Sequence, residues 1–398
     1  MSGRKIARGR TLAGAINCED FRVLARRRLP RVVFDFIDGG AEGEVTLGEN
    51  RRAFQEVHFR PRQASAPREI DTSVDVLGTG LRSPVMIAPC GAARVVHPEG
   101  ELALARAAAA AGTIYVVPHM GGHRLEAVRA ATSGPLWYQI YKMGSREVAE
   151  AAIGRAAAAG YAALVVTVDN SPTMRERDLR NGLPDLLSGS VRRALPHVGQ
   201  LLVRPGWLAG FWRDGWPTGA PNAVLADGRA MTPADIMAAN AQPASTFDWQ
   251  DFAWIRQAWR GPMVVKGILT PEDARRALDW GSAAIIVSNH GGRALDGVGA
   301  SLRALPAVAA ATGGRVPVYL DGGIRRGSDV IKALCLGAQA VLIGRPSMFA
   351  LACGEAGIAR LLALLAADVR RTLGALGCGA VAELDRALVT FPRHWHDQ

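Results

Sequence analysis

The sequence predicts an α/β fold, a TIM (β/α)8 barrel with an N-terminal helical cap or lid over residues 1–84 and a long insertion over 182–250, between strands 4 and 5. Three observations predict it. Eight short apolar, β-branched runs alternate with helical stretches rich in Ala, Leu and Arg. Polar and glycine residues follow nearly every run, and 398 residues with 49% hydrophobic content suit one large core. A strand buried on both faces reads as a continuous apolar run, the mark of a parallel sheet covered by helices. An open doubly wound sheet is built from the same units, and the count of eight runs favours the barrel.

The runs are Val85 to Pro89, Thr113 to Pro118, Leu136 to Tyr141, Ala163 to Asp169, Pro262 to Ile268, Ala283 to Asn289, Pro317 to Gly323 and Ala340 to Pro346. Their helical partners include Glu99 to Ala111, Ser145 to Ala159, Thr270 to Trp280 with its Thr-Pro-Glu-Asp start, and Gly327 to Leu336. The whole chain, 1–398, reads as one catalytic domain.

Net charge is +11, but the arginines are scattered and no nucleic-acid-binding motif accompanies them, so an anionic substrate, cofactor or membrane surface is the expected partner and nucleic acid is not. Five widely spaced cysteines without a C-x-x-C pair predict neither a disulfide framework nor a metal site. No stretch reaches the roughly 18 apolar residues of a membrane span and Met1 to Ile16 lacks an apolar h-region, which predicts a cytoplasmic chain. Within the insertion, Trp207, Phe211, Trp212 and Trp216 lie among Arg192, Arg193, Arg204 and Arg213. This interleaving suits a peripheral contact with an anionic bilayer, or alternatively a lid or subunit contact that packs the tryptophans on protein. The insertion is expected to stand apart from the strand-end site.

Barrel active sites lie at the carboxyl ends of the strands. The runs here end in Pro89-Cys90-Gly91, Gln139 with Tyr141, Thr167 with Asp169, Lys266, Ser288 with His290 and Arg293, Asp321-Gly322-Gly323, and Gly344-Arg345. An imidazole three residues from a guanidinium, on a loop with two glycines, suits proton abstraction beside a bound acid anion. The glycine turns after the last two strands, Asp321 to Gly327 and Ile343 to Pro346, offer backbone amides to a phosphate, while no G-x-G-x-x-G fingerprint follows a strand. Flavin mononucleotide fits better than a nicotinamide cofactor.

These residues resemble the FMN-dependent α-hydroxy-acid oxidases and dehydrogenases, which include glycolate oxidase, respiratory lactate dehydrogenase and mandelate dehydrogenase. The likeness runs from Leu29-Pro30-Arg31 through Glu49-Asn50-Arg51, Ile87-Ala88-Pro89, His97 to Gly100, Gln139-Ile140-Tyr141, Thr167-Val168-Asp169, Val265-Lys266-Gly267 and Ser288 to Arg293 to Asp321 to Gly327. It implies FMN-dependent oxidation of a 2-hydroxy acid to the 2-oxo acid. His290 would take the hydroxyl proton while hydride passes to flavin N5, and Asp169 would stabilise the imidazolium. Arg293 and Arg175 would clamp the carboxylate, Tyr141 would bond the substrate oxygen, and Lys266 would face the flavin N1/O2 edge. Pro89, Cys90, Gly91, Gln139, Thr167 and Ser288 would border the ring, Asp321 the ribityl chain, and Gly323, Arg325, Gly344 and Arg345 the phosphate. A homo-oligomer, a tetramer by the same resemblance, is expected.

Two departures bear on substrate and acceptor. Phe36 stands where the family presents a carboxylate-binding tyrosine, and Pro118 and Met120 replace residues that are commonly serine and tryptophan. The first predicts a more weakly held carboxylate, or a substrate other than a small free acid, and the second a larger, aryl or branched substrate. Gly91, as in the mandelate and respiratory lactate dehydrogenases, points to a quinone or other carrier as electron acceptor. The alternatives are an oxygen-using oxidase, a flavin-binding barrel without turnover, and an aldolase-type barrel with Lys266 as Schiff base, which leaves His290 and Arg293 unexplained.

Overall fold

The computed structural model describes residues 11–65, 67–170, 175–187, 190–215, 219–225, 227–240 and 246–396. Eight strands, β1 (Val85–Ile87), β2 (Tyr115–Pro118), β3 (Leu136–Ile140), β4 (Ala163–Thr167), β5 (Met263–Ile268), β6 (Ala284–Val287), β7 (Val318–Asp321) and β8 (Ala340–Ile343), close into one barrel. Each pairs in parallel with the next, and β8 pairs with β1. The TIM-barrel expectation is met, and every predicted run contributes its strand.

Side-chain parity explains both the core and the site. Met86, Val116, Trp137, Val165, Val264, Ile286, Tyr319 and Leu342 form one apolar cluster inside the barrel. Their neighbours Ile87, Val117, Tyr138, Val166, Val265, Val287, Leu320 and Ile343 pack outward with the helices. Because strand side chains alternate with period two, the next inward position on each strand is Ala88, Pro118, Gln139, Thr167, Lys266, Ser288, Asp321 and Gly344. An apolar plug at mid-barrel is thus succeeded by a polar tier at the carboxyl rim.

The cap begins with helices Cys18–Arg28, Arg31–Asp38 and Val45–Glu56, the first capped by Asn17, whose side chain accepts from the amides of Glu19 and Asp20. Helix does not continue to residue 84. The segment His58–Phe59 pairs with Val389–Thr390, and Val74–Val76 turns back on Thr79–Leu81 as a hairpin. Leu77 (φ 50°) and Gly78 (φ 79°) supply the two left-handed residues such a tight turn needs. Val76 and Leu81 pack onto the inward cluster, so the hairpin closes the amino end of the barrel.

Between β4 and β5 the chain builds helices Glu176–Arg180, Leu183–Leu187, Val191–Leu202, Pro205–Asp214 and Pro233–Asn240, with a strand pair, Ala220–Val224 and Ala230–Met231. Gln200 ties this insertion to the cap, accepting from the Val32 amide at 2.8 Å and donating to the Asn181 carbonyl at 3.0 Å.

The tryptophan expectation needs correction. Phe211 is buried, Trp207 lies against it at 4.6 Å between ring centroids, and the Trp207 indole N–H donates to the Val95 carbonyl at 2.9 Å. A buried ring and an indole with a protein partner are not lipid anchors. Arg204 is also spent internally, on the Leu29 carbonyl at 3.0 Å. Among the described residues of the insertion, the large apolar side chains that face solvent include Val191, Leu195, Leu202, Val203 and Trp212, the last 91% exposed, with Arg192, Arg193 and Arg213 exposed beside them in the chain. Trp216 lies outside the described residues.

Candidate active site

A cavity of about 840 Å³ opens at the carboxyl end of the barrel. Pro89, Cys90, Gly91, Met120, Tyr141, Arg175, Lys266, His290, Arg293, Asp321, Gly323, Arg325, Gly344, Arg345 and Phe36 line it. Gln139, Thr167 and Ser288 are buried at the inward rim positions of β3, β4 and β6, and Asp169 stands behind His290.

His290 is held by three devices. The loop after β6 places it at φ 56°, a left-handed conformation that costs a non-glycine residue of order 1–3 kcal/mol and persists only where the surroundings impose it. Asn289 next to it is clasped by Asn50 of the cap through reciprocal amide bonds of 2.9 and 2.8 Å. The His290 amide donates to Ser288 Oγ at 3.0 Å. On the imidazole, Nδ1 lies 2.9 Å from Asp169 Oδ1 and Nε2 lies 3.0 Å from the Tyr141 hydroxyl. A carboxylate can only accept a hydrogen bond from Nδ1–H, so the neutral ring keeps its proton there and carries its lone pair on Nε2, toward Tyr141. Burial works to raise the Asp169 pKa, but Lys266 and His290 outweigh it and hold the carboxyl below its ordinary value.

Lys266 is buried and paired, with Nζ donating to Ser288 Oγ at 2.8 Å and lying 3.2 Å from Asp321 Oδ2. Burial opposes its charge, yet Asp321 and Asp169 raise its pKa, so it is a fixed cation. Arg293 is different. Its Nη1 donates to the carbonyls of Phe36 (2.7 Å) and Gly39 (2.9 Å), while burial and then the neighbouring Arg175 and Arg345 disfavour its charge and depress its pKa. Arg175 and Arg293 both stack on Phe36, at 5.0 and 5.1 Å from the ring centre, and Asp178 steadies Arg175 through a 2.9 Å ion pair. Guanidiniums crowded beside one another attract an anion.

The deep wall has polar atoms without protein partners. Gln139 Nε2, Thr167 Oγ1 and Asp321 Oδ1 are among the buried atoms without a hydrogen-bond partner in the described residues, and a ligand that offers both donors and acceptors would satisfy them. A flavin ring edge and its hydroxylated chain meet that description, so the residues present fit FMN. The turn after β7 gives less than expected. The amides of Arg325 and Arg326 are taken by Asp329 Oδ2 (2.9 and 3.0 Å) and that of Gly327 by Asp368 (2.6 Å), so these donors are not offered to a phosphate. What the turn presents to the cavity is Gly322, Gly323, Ile324 and the Arg325 side chain. Gly323 is required by packing as well, since a Cβ there would lie 2.0 Å from the Asn50 carbonyl oxygen. Arg345 spends its guanidinium on carbonyls, those of Gly291 and Gly39 at 2.7 Å each and Asp38 at 3.2 Å.

Residues that sequence reading did not single out complete the site. Met143, Leu183, Pro233 and Ile236 line the cavity, the last three from the insertion, which therefore does not stand apart from the strand-end site. Asp178 was legible as the acidic residue three positions after Arg175 on a helical pattern. The others were ordinary apolar residues with no local signal.

A flavin-dependent oxidoreductase barrel is the class that this fold and site define. The family model described as FMN-dependent dehydrogenase matches residues 25–391. The chain belongs to that family: it is an FMN-dependent 2-hydroxy-acid dehydrogenase or oxidase. It is 40% identical over 375 residues to L-lactate dehydrogenase of Caulobacter vibrioides (strain NA1000 / CB15N), covering 93% of this chain and 96% of that one. It is 39% identical over 374 residues to glycolate oxidase 1 of Oryza sativa subsp. indica, covering 93% and 94%. Among solved structures, the monotopic membrane protein (S)-mandelate dehydrogenase superposes with a TM-score of 0.87 at 36% identity, covering 95% of this chain and 99% of that one.

Proposed function

We propose that the enzyme oxidises its 2-hydroxy acid with His290 as base and passes the electrons to a quinone or similar carrier at an anionic membrane surface. The observation that carries the chemistry is the line Asp169, His290, Tyr141, flanked by Arg175 and Arg293. Arg293 and Arg175 hold the substrate carboxylate. His290 Nε2 takes the hydroxyl proton, the charge so formed on the imidazole is balanced by Asp169, and Tyr141 orients the substrate oxygen. FMN, when bound, supplies the acceptor for the hydride that leaves the α-carbon. Gln139, Thr167, Lys266 and Ser288 would hold its ring, Asp321 its chain, and Arg325 its phosphate, with the charge of the carbonyl-bound Arg345 beside it. Replacing His290 with Ala and following anaerobic flavin reduction tests the assignment.

The membrane reading is supported by the exposed Val191, Leu195, Leu202, Val203 and Trp212 beside Arg192, Arg193 and Arg213. Among the described residues no helix is long and apolar enough to cross a membrane. Co-sedimentation should therefore rise with anionic lipid content, fall with salt, and drop when Leu195, Leu202 and Trp212 are changed to Ser. Gln200 and Phe211 are left intact in that variant because they hold the insertion on the protein. A protein that ignores such vesicles but dissociates on the same substitutions would place the patch at a contact of the expected homo-oligomer instead.

A further inference from the structure

We infer that the substrate carries a bulky, uncharged apolar side chain, and that the insertion is what selects it. The inference rests on the 2-hydroxy-acid reading of the same site. Tyr141, whose hydroxyl marks the reacting end beside His290, packs with Met120 and Ile236 onto a single apolar cluster that includes Met143, Ala220, Ala223 and Met231. Met120, Met143, Leu183, Pro233 and Ile236 all line the cavity, and none of them carries a charge. The wall comes from two sources, since Met120 and Met143 follow barrel strands and Leu183, Pro233 and Ile236 come from the insertion.

The wall is also preorganised. Asn222, fully buried in the insertion's strand pair, accepts from the Leu125 amide at 2.8 Å and donates to the His123 carbonyl at 3.0 Å. Those two residues close the loop that carries Met120. Gly91 lets Met120 approach, because a Cβ at 91 would meet the Met120 Cβ at 3.1 Å. A hydrogen atom or a methyl group as the acid's side chain leaves this surface facing water, whereas a phenyl, benzyl or isobutyl group covers it. A second carboxylate would be desolvated there without a partner.

The test uses the purified holoenzyme and an anaerobic panel of glycolate, lactate, malate, 2-hydroxy-4-methylpentanoate, mandelate and 3-phenyllactate, read as the second-order rate of flavin bleaching. Binding of unreactive 3-phenylpropanoate against acetate is measured by calorimetry in parallel. One methylene in an apolar pocket is worth roughly 10- to 200-fold in discrimination. The apolar acids should therefore exceed glycolate and malate by at least about tenfold, and 3-phenylpropanoate should bind more tightly than acetate. Leu183→Asn and Ile236→Asn should each lower the phenyllactate-to-glycolate ratio by about tenfold. Bleaching by glycolate or malate as fast as by the apolar acids, with no preference for 3-phenylpropanoate, overturns the inference while the hydroxy-acid reading stands. An unchanged ratio in both variants removes the insertion's selecting role. Bleaching by no acid at all overturns the underlying reading and the inference with it.

Discussion

Arg293 reaches the cap twice through one residue, donating to the carbonyl oxygen of Phe36 at 2.7 Å while its guanidinium lies 5.1 Å from the centre of that residue's ring. Cap and catalytic loop are therefore joined at the point where a substrate carboxylate is expected, and Phe36 brings no hydroxyl to it. Phe36→Tyr should add a hydrogen bond to a charged group, worth about 1.5–3 kcal/mol, and tighten a simple 2-hydroxy acid by about tenfold or more. Substrate titration under anaerobic conditions checks it. Weaker binding would mean that the two stacked guanidiniums need the unsubstituted ring.

Removing the base should separate chemistry from cofactor binding. His290→Ala is expected to slow flavin reduction by roughly 10²- to 10⁴-fold while FMN stays bound, because the imidazole's partners are Asp169 and Tyr141. Asp169→Asn should also slow reduction, since an amide at Nδ1 no longer enforces the tautomer with its lone pair on Nε2. Rapid-mixing spectroscopy reads both, and an unchanged rate in either variant removes that residue from the mechanism.

The unbonded Gln139, Thr167 and Asp321 atoms predict that the fold depends measurably on its cofactor. The protein should purify yellow. Stripping FMN should lower the melting temperature, and re-adding it at a hundred times its dissociation constant should restore about 2.7 kcal/mol. A stripped protein that melts at the holoenzyme's temperature would show that those atoms are satisfied without it.

Acid stability should track one carboxylate. Buried Asp38 accepts from Arg22 at 2.6 and 2.8 Å and from Arg177 at 2.8 Å, linking the cap to the first helix of the insertion. Burial pushes its pKa up, but the two guanidiniums bring it below the ordinary 3.8. A depressed folded-state pKa contributes stability that is present above the unfolded value and is lost as pH falls through the folded one. Asp38→Asn should therefore cost about 2 kcal/mol near pH 7, and its gap to the parent protein should close below about pH 3.8. Melting curves from pH 7 to pH 3 decide it, and a constant gap would count against the ion pairs as its source.

Much of this architecture was legible because buried parallel strands leave a strong mark. A continuous run such as Ala-Leu-Val-Val-Thr does not suit a solvated edge, and Ala163–Thr167 and its seven companions were each readable as an apolar segment ending in polar residues. The site was legible to the same degree, since Gln139, Thr167, Lys266, Ser288 and Asp321 follow inward apolar positions by two. What escaped were contacts between distant segments. The Val74–Leu81 hairpin looks like loop until its partner surface exists, and nothing local to Arg325-Arg326-Gly327 reveals that Asp368, on the long helix Gly354–Leu376, will occupy an amide there. Trp207 and Phe211 misled for the same reason. An aromatic residue beside arginine reads alike whether it is bound for lipid or for Val95.

The stopper formed by Val76 and Leu81 backs a barrel already filled by its apolar plug, so the cavity is approached from the opposite end. The acid and the oxo product therefore exchange at the carboxyl rim, where Phe36, Leu183 and Ile236 line the cavity. An electron acceptor that reaches the ring by that same rim would have to wait until the oxo product has left. Steady-state rates measured while both concentrations vary should then give parallel double-reciprocal lines, and converging lines would mean that acid and acceptor reach the ring from different sides.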